Sequence, residues 1–206
     1  MQTFDKIIRK CRELGGEYPD VVFIGGVAVY LHASSAGTGV PPEASHDADF
    51  MVSVFDYGAI KDAEEVTANP RLGKHQMLSG GVEFDVYVDR WNKLIVPYAE
   101  VATYSVTVEG VRVASLEHLL VLKLEALGKR GHTRKGDKDR GDVVQLGLMI
   151  GRKSRGKLLE PYLREDHLES LVSLAGSAVF YELCGGDAHD ARRVREAFTV
   201  FVGTLA

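Results

Sequence analysis

Ser45-His46-Asp47-Ala48-Asp49-Phe50-Met51-Val52 is the stretch on which the fold of this chain turns. Taken as part of a strand from His46 to Val54, it sends successive side chains to opposite faces. Ala48, Phe50 and Val52 then face a core, and Asp47 and Asp49 project together from the other side. Two like charges side by side on a strand are unfavourable unless a cation or a donor offsets them. A hard divalent ion such as Mg²⁺ (or Mn²⁺) is such a cation, because it takes carboxylate oxygens together with phosphate oxygens. A turn or an exposed strand end with two solvated carboxylates fits the same letters.

Working outward, Val82 to Asp89 predicts a further strand. Val82, Phe84, Val86 and Val88 form its apolar face, and Asp85 sits in the middle of the other. If this strand pairs with 46–54, Asp85 comes beside Asp47 and Asp49. Three carboxylates on one sheet face suit metal-assisted phosphoryl transfer. An ordinary amphipathic strand with a wet face, carrying Glu83 and Asp89 as well, fits the pattern too. Upstream, Val21-Val22-Phe23-Ile24 reads as a short buried strand ending in Gly25-Gly26 and running into a helix through His32. Backbone N–H groups at such a helix start, with no side chain in the way, bind phosphate well. The spacing is neither a dinucleotide fingerprint nor a Walker loop, and the same turn serves as a plain strand-to-helix connection.

The remaining segments set the organisation. Phe4, Ile7, Ile8 and Cys11 recur at helical spacing over residues 3–14, and Gly15-Gly16 is expected to stop that helix. Residues 34–45 are small, Gly- and Pro-rich, and read as a mobile loop. Residues 56–66 read as helix, and Ala102 to Val113 as a hairpin broken at Glu109-Gly110. From Ser115 the character becomes helical. Ser115 can cap a helix carrying Leu116, Leu119, Leu120, Leu124 and Leu127, and further helices are expected near 139–150, 157–174 and 187–204. The fold class is α+β: a core over residues 1–113, then a helical lobe over 114–206 that carries the basic segment.

Lys123 lies within the apolar stripe of its helix, so it either snorkels to the surface or reaches a buried anion. Residues 129–140 hold six basic side chains (Lys129, Arg130, Arg134, Lys135, Lys138 and Arg140) against Asp137 and Asp139. This is either a solvated basic loop or a clamp for a triphosphate or a nucleic-acid backbone. The whole chain of 206 residues has a formal charge of −4, so it is no basic nucleic-acid wrapper. No apolar run approaches the roughly 18 residues of a membrane span. The first dozen residues lack a signal-peptide core. Cys11 and Cys184 form no CxxC pair, which argues against a disulfide framework or a cysteine zinc site. A cytoplasmic location is expected.

Taken in order, these pieces resemble the nucleotidyltransferase superfamily related to DNA polymerase β. The resemblance extends to its AbiEii-type branch, which includes the MenT toxins of bacterial toxin–antitoxin pairs. It rests on Gly25-Gly26-Val27-Ala28 with Leu31-His32, on Ser45-x-Asp47-x-Asp49, and on Ser115-Leu116-Glu117-His118-Leu119-Leu120 running into Lys123. It also rests on Lys123, Arg134, Lys138-Asp139 and Asp142, and covers roughly residues 20 to 146. Two departures stand out. Twenty residues separate Gly26 from Asp47, so the 34–45 loop is an insertion that can act as a lid. Pro41-Pro42-Glu43-Ala44 stands where many relatives carry a basic residue shortly before the D-x-D.

The resemblance implies a small mixed β-sheet flanked by helices, and transfer of a nucleoside monophosphate from an NTP to an acceptor hydroxyl. Asp47 and Asp49 would hold the metal on the triphosphate, and Asp85 would share a second metal and help deprotonate the acceptor. Gly25 and Gly26 would cradle phosphates, with Ser45 nearby. Lys123 and Lys138 would offset charge on the leaving pyrophosphate. Asp139 would cap its helix or hold Arg134, and Asp142 would support the basic segment. The acceptor is the 3′ end of tRNA for some members and a protein hydroxyl for others, and a cognate antitoxin is a further partner. Two other classes fit the same sequence: a non-catalytic nucleotide-sensing or partner-binding protein on this core, and a helical interaction module built on residues 157–204.

Overall fold

The computed structural model describes residues 4–131, 133–153 and 158–205. The expected helix start at residue 3 and segment start at 157 lie outside them. In chain order the elements are α1 (Phe4–Glu17), β1 (Val22–Ile24), α2 (Gly25–Ser34), β2 (Ala48–Val52), α3 (Val54–Ala63), β3 (Val66–Asn69), β4 (Lys74–Ser79) and β5 (Val82–Val88). There follow α4 (Tyr98–Thr103), β6 (Val106–Val108), β7 (Val111–Val113), α5 (Leu116–Arg130), α6 (Arg134–Lys153), α7 (Glu165–Ala175), α8 (Val179–Leu183) and α9 (Ala188–Gly203). They fall into two compact units. Residues 1–31 with 44–115 make the first, and residues 32–43 with 116–206 the second.

The first unit is built on a mixed sheet in the order β3-β4-β5-β2-β1-β7-β6. β2 runs parallel to β5 and antiparallel to β1, and β1 runs parallel to β7. One face carries Phe23, Phe50 and Phe84, all essentially without solvent exposure. Phe50 meets Phe23 and Phe84 edge-on at ring-centroid distances of 5.8 and 5.9 Å, the arrangement that aromatic quadrupoles favour. α1 buries Ile7, Ile8, Cys11 and Leu14, and it packs on β5 and β7. α2 is apolar nearly all round, and Val27, Ala28, Val29 and Leu31 are all buried, as a helix of that composition requires.

The second unit is helical. α6 packs on α5, α8 and α9, and α7 on α5 and α9. Leu119, Leu120, Val121, Val143, Val144, Leu146 and Phe198 are fully buried within it. The chain therefore adopts the α+β class expected of it: a mixed sheet flanked by helices, and a helical C-terminal lobe.

Several boundaries differ from the sequence reading, each for a local reason. α1 continues through Gly15 and Gly16 to Glu17, because Leu14 stays buried on its apolar face. The helix expected over 56–66 is α3, which starts two residues earlier because the Ser53 hydroxyl accepts from the Asp56 N–H at 3.1 Å and caps it. Its expected last residue, Val66, instead opens β3. β3 and β4 were not expected. Both are wet, with only Met77 and Ser79 buried on β4, so they show no apolar alternation. They are joined to β5 through a two-residue turn at Gly80-Gly81, where both φ angles are positive (57° and 75°) and favour glycine.

Residues 102–103 finish α4, so the hairpin starts at Val106; it does break at Glu109-Gly110. The basic segment is not a loop. It is the last turn of α5 and the first turns of α6, which begins at Arg134 and not near 139. α7 begins only at Glu165, and α8 was not foreseen.

The loop after α2 is anchored at two of its residues. Thr38 donates to the Gln145 side chain at 2.6 Å, and Gln145 donates to the Val40 carbonyl at 2.6 Å. Thr38 and Val40 are both buried. We expect Phe50→Ala, which removes the ring shared by both aromatic contacts, to cost about 4 kcal/mol in chemical denaturation, with the polar face of the sheet unchanged.

Candidate active site

Strand pairing places the sequence-predicted carboxylates of the first unit. In the parallel pair β2–β5, Asp49 stands directly opposite Asp85. On either side of them, Ile24 of β1 pairs with Asp49, and Gln76 of β4 pairs with Asp85. One row across the sheet therefore reads Ile24, Asp49, Asp85, Gln76, on the face opposite Phe50. Parallel neighbours in register are about 5 Å apart, so the two charges need a counter-charge.

Asp47 precedes β2. It is half-buried, and its Oδ1 accepts a hydrogen bond from the hydroxyl of buried Ser45 at 3.2 Å. His46 between them is exposed.

Gly25 is the first residue of α2 and has φ +65°. A Cβ at this position would overlap the Asp49 carboxylate. Two independent constraints thus demand glycine here: a left-handed backbone that side chains resist, and the approach of Asp49 to the opening of the helix. A helix N-terminus favours negative charge beside it, and the α2 opening supplies that environment to Asp49.

A further residue of this face escaped the sequence reading. Lys74, the first residue of β4, forms an ion pair with Asp85 through Oδ2. It lies two residues from Gln76, on the same face of its strand as Gln76. Both side chains are only 15% exposed, so the pair sits in a partly desolvated place. The signal that would have found it is Gly80-Gly81: read as a hairpin turn, it makes 74–79 the partner of 82–88 and puts Lys74 on the Asp85 face.

Hard oxygen donors suit Mg²⁺ or Mn²⁺, and Asp49 and Asp85 in register, with Asp47 on the approach, fit such an ion. Asp47, Asp49 and Asp85 do not all close to ligand spacing in this structure, in which Asp85 is engaged by Lys74. Among the described residues, the three donors whose ligand atoms all lie within 4.8 Å of one another are Asp187, His189 and Asp190. These three are close enough to share a divalent ion. They are also exposed or nearly so, and Asp187 and Asp190 are otherwise used. Asp187 caps α9 by accepting from the Asp190 N–H at 2.8 Å, and Asp190 pairs with Arg193 at 3.0 Å.

The other expected site residues belong to the second unit, where Lys123, Asp139 and Asp142 join Arg130 in a buried ion network between α5 and α6. The Lys123 ammonium lies 3.0 Å from Asp139 and 2.6 Å from Asp142. Arg130 donates to both oxygens of Asp139, at 2.6 and 3.1 Å. Asp139 therefore sits inside α6 and does not cap it, and its cationic partners are Lys123 and Arg130 rather than Arg134. Of the two sequence alternatives for Lys123, the buried anion is the one observed.

Burial opposes the Lys123 charge, but Asp142 and Asp139 outweigh it and hold its pKa above the usual lysine value. Burial also favours neutral Asp139, yet the bonds from Arg130 and Lys123 prevail and hold its carboxyl below the ordinary range. At Asp142 burial wins and pushes the pKa up despite Lys123. Arg134 and Lys135 are exposed at the start of α6, and Lys138 is half-buried. A cavity of about 690 Å³ opens in this unit beside α5 and α7. Several of its charges pair with one another: Arg164 with Glu125 at 2.6 Å and Asp166 at 3.0 Å, and Lys129 with Glu125 at 2.8 Å.

The network carries a prediction. Asp139→Asn should lower stability by roughly 3 kcal/mol at neutral pH, because it leaves buried cationic charge under-compensated. The folded Asp139 pKa lies below its unfolded value, so its contribution is complete above the ordinary aspartate pKa and is lost as pH falls through the folded value. The stability gap between wild type and Asp139→Asn, followed by urea unfolding, should close on acidification.

No protein-family model matches this chain, and no curated protein does. Solved structures do. JHP933 from Helicobacter pylori is similar over 98% of this chain and 91% of its own, with a TM-score of 0.53 and 16% identity. A second H. pylori structure, provisionally described as a nucleotidyltransferase, is similar over 98% of this chain and 94% of its own, again with a TM-score of 0.53 and 16% identity. An antigenic nucleotidyltransferase-like protein from Paracoccidioides brasiliensis is similar at 14% identity and a TM-score of 0.49, over 94% and 92% of the two chains. At these identities the likeness concerns fold alone. The chain has a distant structural relationship to nucleotidyltransferase-like folds. Among the described residues, no helix is long and apolar enough to cross a membrane.

Proposed function

We propose that this chain is a metal-dependent nucleotidyltransferase that moves a nucleoside monophosphate from an NTP to an acceptor hydroxyl and releases pyrophosphate. The observation that carries the reading is the in-register pair Asp49–Asp85, with Asp49 held against the glycine that opens α2. A row that aligns two carboxylates, with a helix opening beside one of them, suits a polyphosphate-bound cation.

In the reaction, the acceptor oxygen bonds to the α-phosphorus as the bond from that phosphorus to the bridging oxygen breaks. Pyrophosphate leaves with the electron pair. Asp85 takes the proton of the acceptor hydroxyl, a role open to a positioned carboxylate. Asp47 and Asp49 would hold the Mg²⁺ or Mn²⁺, with Ser45 fixing the Asp47 carboxylate. When bound, that ion supplies Lewis acidity to the triphosphate and lowers the pKa of the attacking hydroxyl. Gly25 and Gly26 offer backbone N–H groups to phosphate oxygens, positioned before the reaction begins and so costing no reorganisation.

The narrower reading places the chain in the AbiEii/MenT-like branch, as the toxin of a toxin–antitoxin pair acting in the cytoplasm on tRNA. The exposed Arg134 and Lys135 at the start of α6 favour an RNA acceptor over a protein one. Arg134→Ala/Lys135→Ala should weaken transfer to RNA and flatten its salt dependence, with transfer to any protein acceptor unaffected. Equal losses at every salt concentration would argue for a different acceptor.

The direct test offers labelled NTPs to total RNA and total protein and reads label incorporation with pyrophosphate release. Asp49→Asn should cut both by at least about a hundredfold, and Asp47→Asn likewise. Incorporation indifferent to these substitutions would overturn the proposal. NTP binding with no pyrophosphate release across all acceptors would instead identify a nucleotide-sensing protein on this fold.

A further inference from the structure

We propose that the turn joining β3 to β4 and the turn that follows β5 form one docking surface for single-stranded RNA, with Trp91 as the platform on which a base stacks. The use of that RNA as acceptor rests on the nucleotidyltransferase reading; the surface itself stands on residues of the first unit alone.

A lone exposed tryptophan is unremarkable. Trp91 differs because it is open to solvent and yet fixed. It is 54% exposed, while its ring meets Tyr57 of α3 edge-on at a centroid distance of 5.6 Å and His75 of β4 at 6.3 Å. Tyr57 and His75 are themselves in contact, at 4.8 Å. The Trp91 N–H and the Asn92 side chain close the turn, both donating to the Val88 carbonyl, at 3.2 and 2.8 Å. The same turn holds Arg90 at φ +62°, a left-handed backbone that side chains resist. A ring fixed in this manner loses little freedom when a base stacks on it.

Cations border the ring. Gly73, in the turn before β4, has φ +63°, and a Cβ there would come within 3.0 Å of the Lys93 side chain. The two turns are thus neighbours, and Arg71, Arg90 and Lys93 are all exposed on them. Arg90 has Asp89 at 3.7 Å. Arg71 and Lys93 have no ion-pair or hydrogen-bond partner among the described residues. Lys61 of α3 is near the same rings: burial first, and then its charge, hold the His75 pKa below the usual histidine value.

An open aromatic face with unanswered positive charge around it suits a strand whose bases are unstacked and whose phosphates carry the opposite charge. A duplex keeps its base faces covered and could use only the cations. The surface also adjoins the carboxylate row, because Lys74, which follows Gly73 in the chain, pairs with Asp85.

Trp91 is the only tryptophan of the chain, so its fluorescence reports on this surface. The full chain is titrated in EDTA with a short unstructured RNA and with the same RNA as a duplex. The single strand should quench Trp91, and the duplex should not. In anisotropy with labelled RNA, Trp91→Ala should weaken binding about tenfold, and Trp91→Phe, which keeps a stacking ring, much less. Arg71→Gln/Lys93→Gln should weaken binding and lower its salt slope by about 0.7 for each cation removed. Should Trp91→Ala lose the parental circular-dichroism spectrum, this exposed double variant decides.

No measurable RNA binding would overturn the inference, as would binding that leaves Trp91 fluorescence unchanged or equal quenching by the duplex. Affinity indifferent to Arg71→Gln/Lys93→Gln would overturn it as well. Label transfer to RNA that needs Asp49 but ignores Trp91, Arg71 and Lys93 would remove this surface and leave the nucleotidyltransferase reading. RNA seated on Trp91 but never labelled from any NTP would sink that reading and leave the surface.

Discussion

The parallel register of β2 with β5 is the constraint from which the rest follows. It sets Asp49 against Asp85 on one face of the sheet and Phe50 against Val86 on the other. The second face stabilises the unit: Phe23, Phe50 and Phe84 are buried together, and every apolar contact there favours the same register. A slip of one residue would bring the phenyl rings to the polar side and the carboxylates into the core. The apolar face therefore holds the carboxylate face in a juxtaposition that electrostatics alone would reject.

Two devices make that juxtaposition tolerable, and they differ in kind. Asp49 lies against a glycine at the start of α2, where nothing but backbone fits. Asp85 has a side-chain cation, Lys74. The contrast with the second unit is informative. There, Asp139 and Asp142 are buried more deeply than Asp49 or Asp85, but Lys123 and Arg130 answer them through several short bonds. Such a network binds α5 to α6 and has little capacity left for a ligand. The first-unit carboxylates, by comparison, are less deeply buried. Partial access is what a binding site needs and a buried structural ion network lacks.

Those differences also explain what could be read from the letters. The strand around Val86 was legible because it alternates between buried and more exposed residues, and the strand around Phe50 because an apolar run follows Asp49. Gly25-Gly26 was legible as a strand-to-helix turn, and the change to helix after Ser115 as a run of leucines at helical spacing. β3 and β4 were not, because β3 is wet and β4 buries only Met77 and Ser79, so neither carries an apolar period. Missing β4 meant missing Lys74, whose partner lies across a strand pair and eleven residues away. The basic segment misled for another reason. Six cations in a short stretch resemble a solvated loop, yet Arg130 and Lys123 find buried carboxylates one helix away, a match that no local pattern encodes.

The likeness to solved structures covers nearly the whole chain at 16% identity, with a TM-score only just above one half. A fold shared at that distance fixes where strand ends and helix openings fall, but not which side chains occupy them. What individualises this chain is thus to be sought in how its charges are compensated. β4 is tied to the sheet through a two-glycine hairpin and contributes little to the core beyond Met77. It is hydrogen-bonded to β3 on one edge and β5 on the other, and Lys74 is its first residue. A hairpin near the sheet edge can in this way govern the charge at the centre of the sheet, while the register that creates the carboxylate pair stays under the control of the aromatic core.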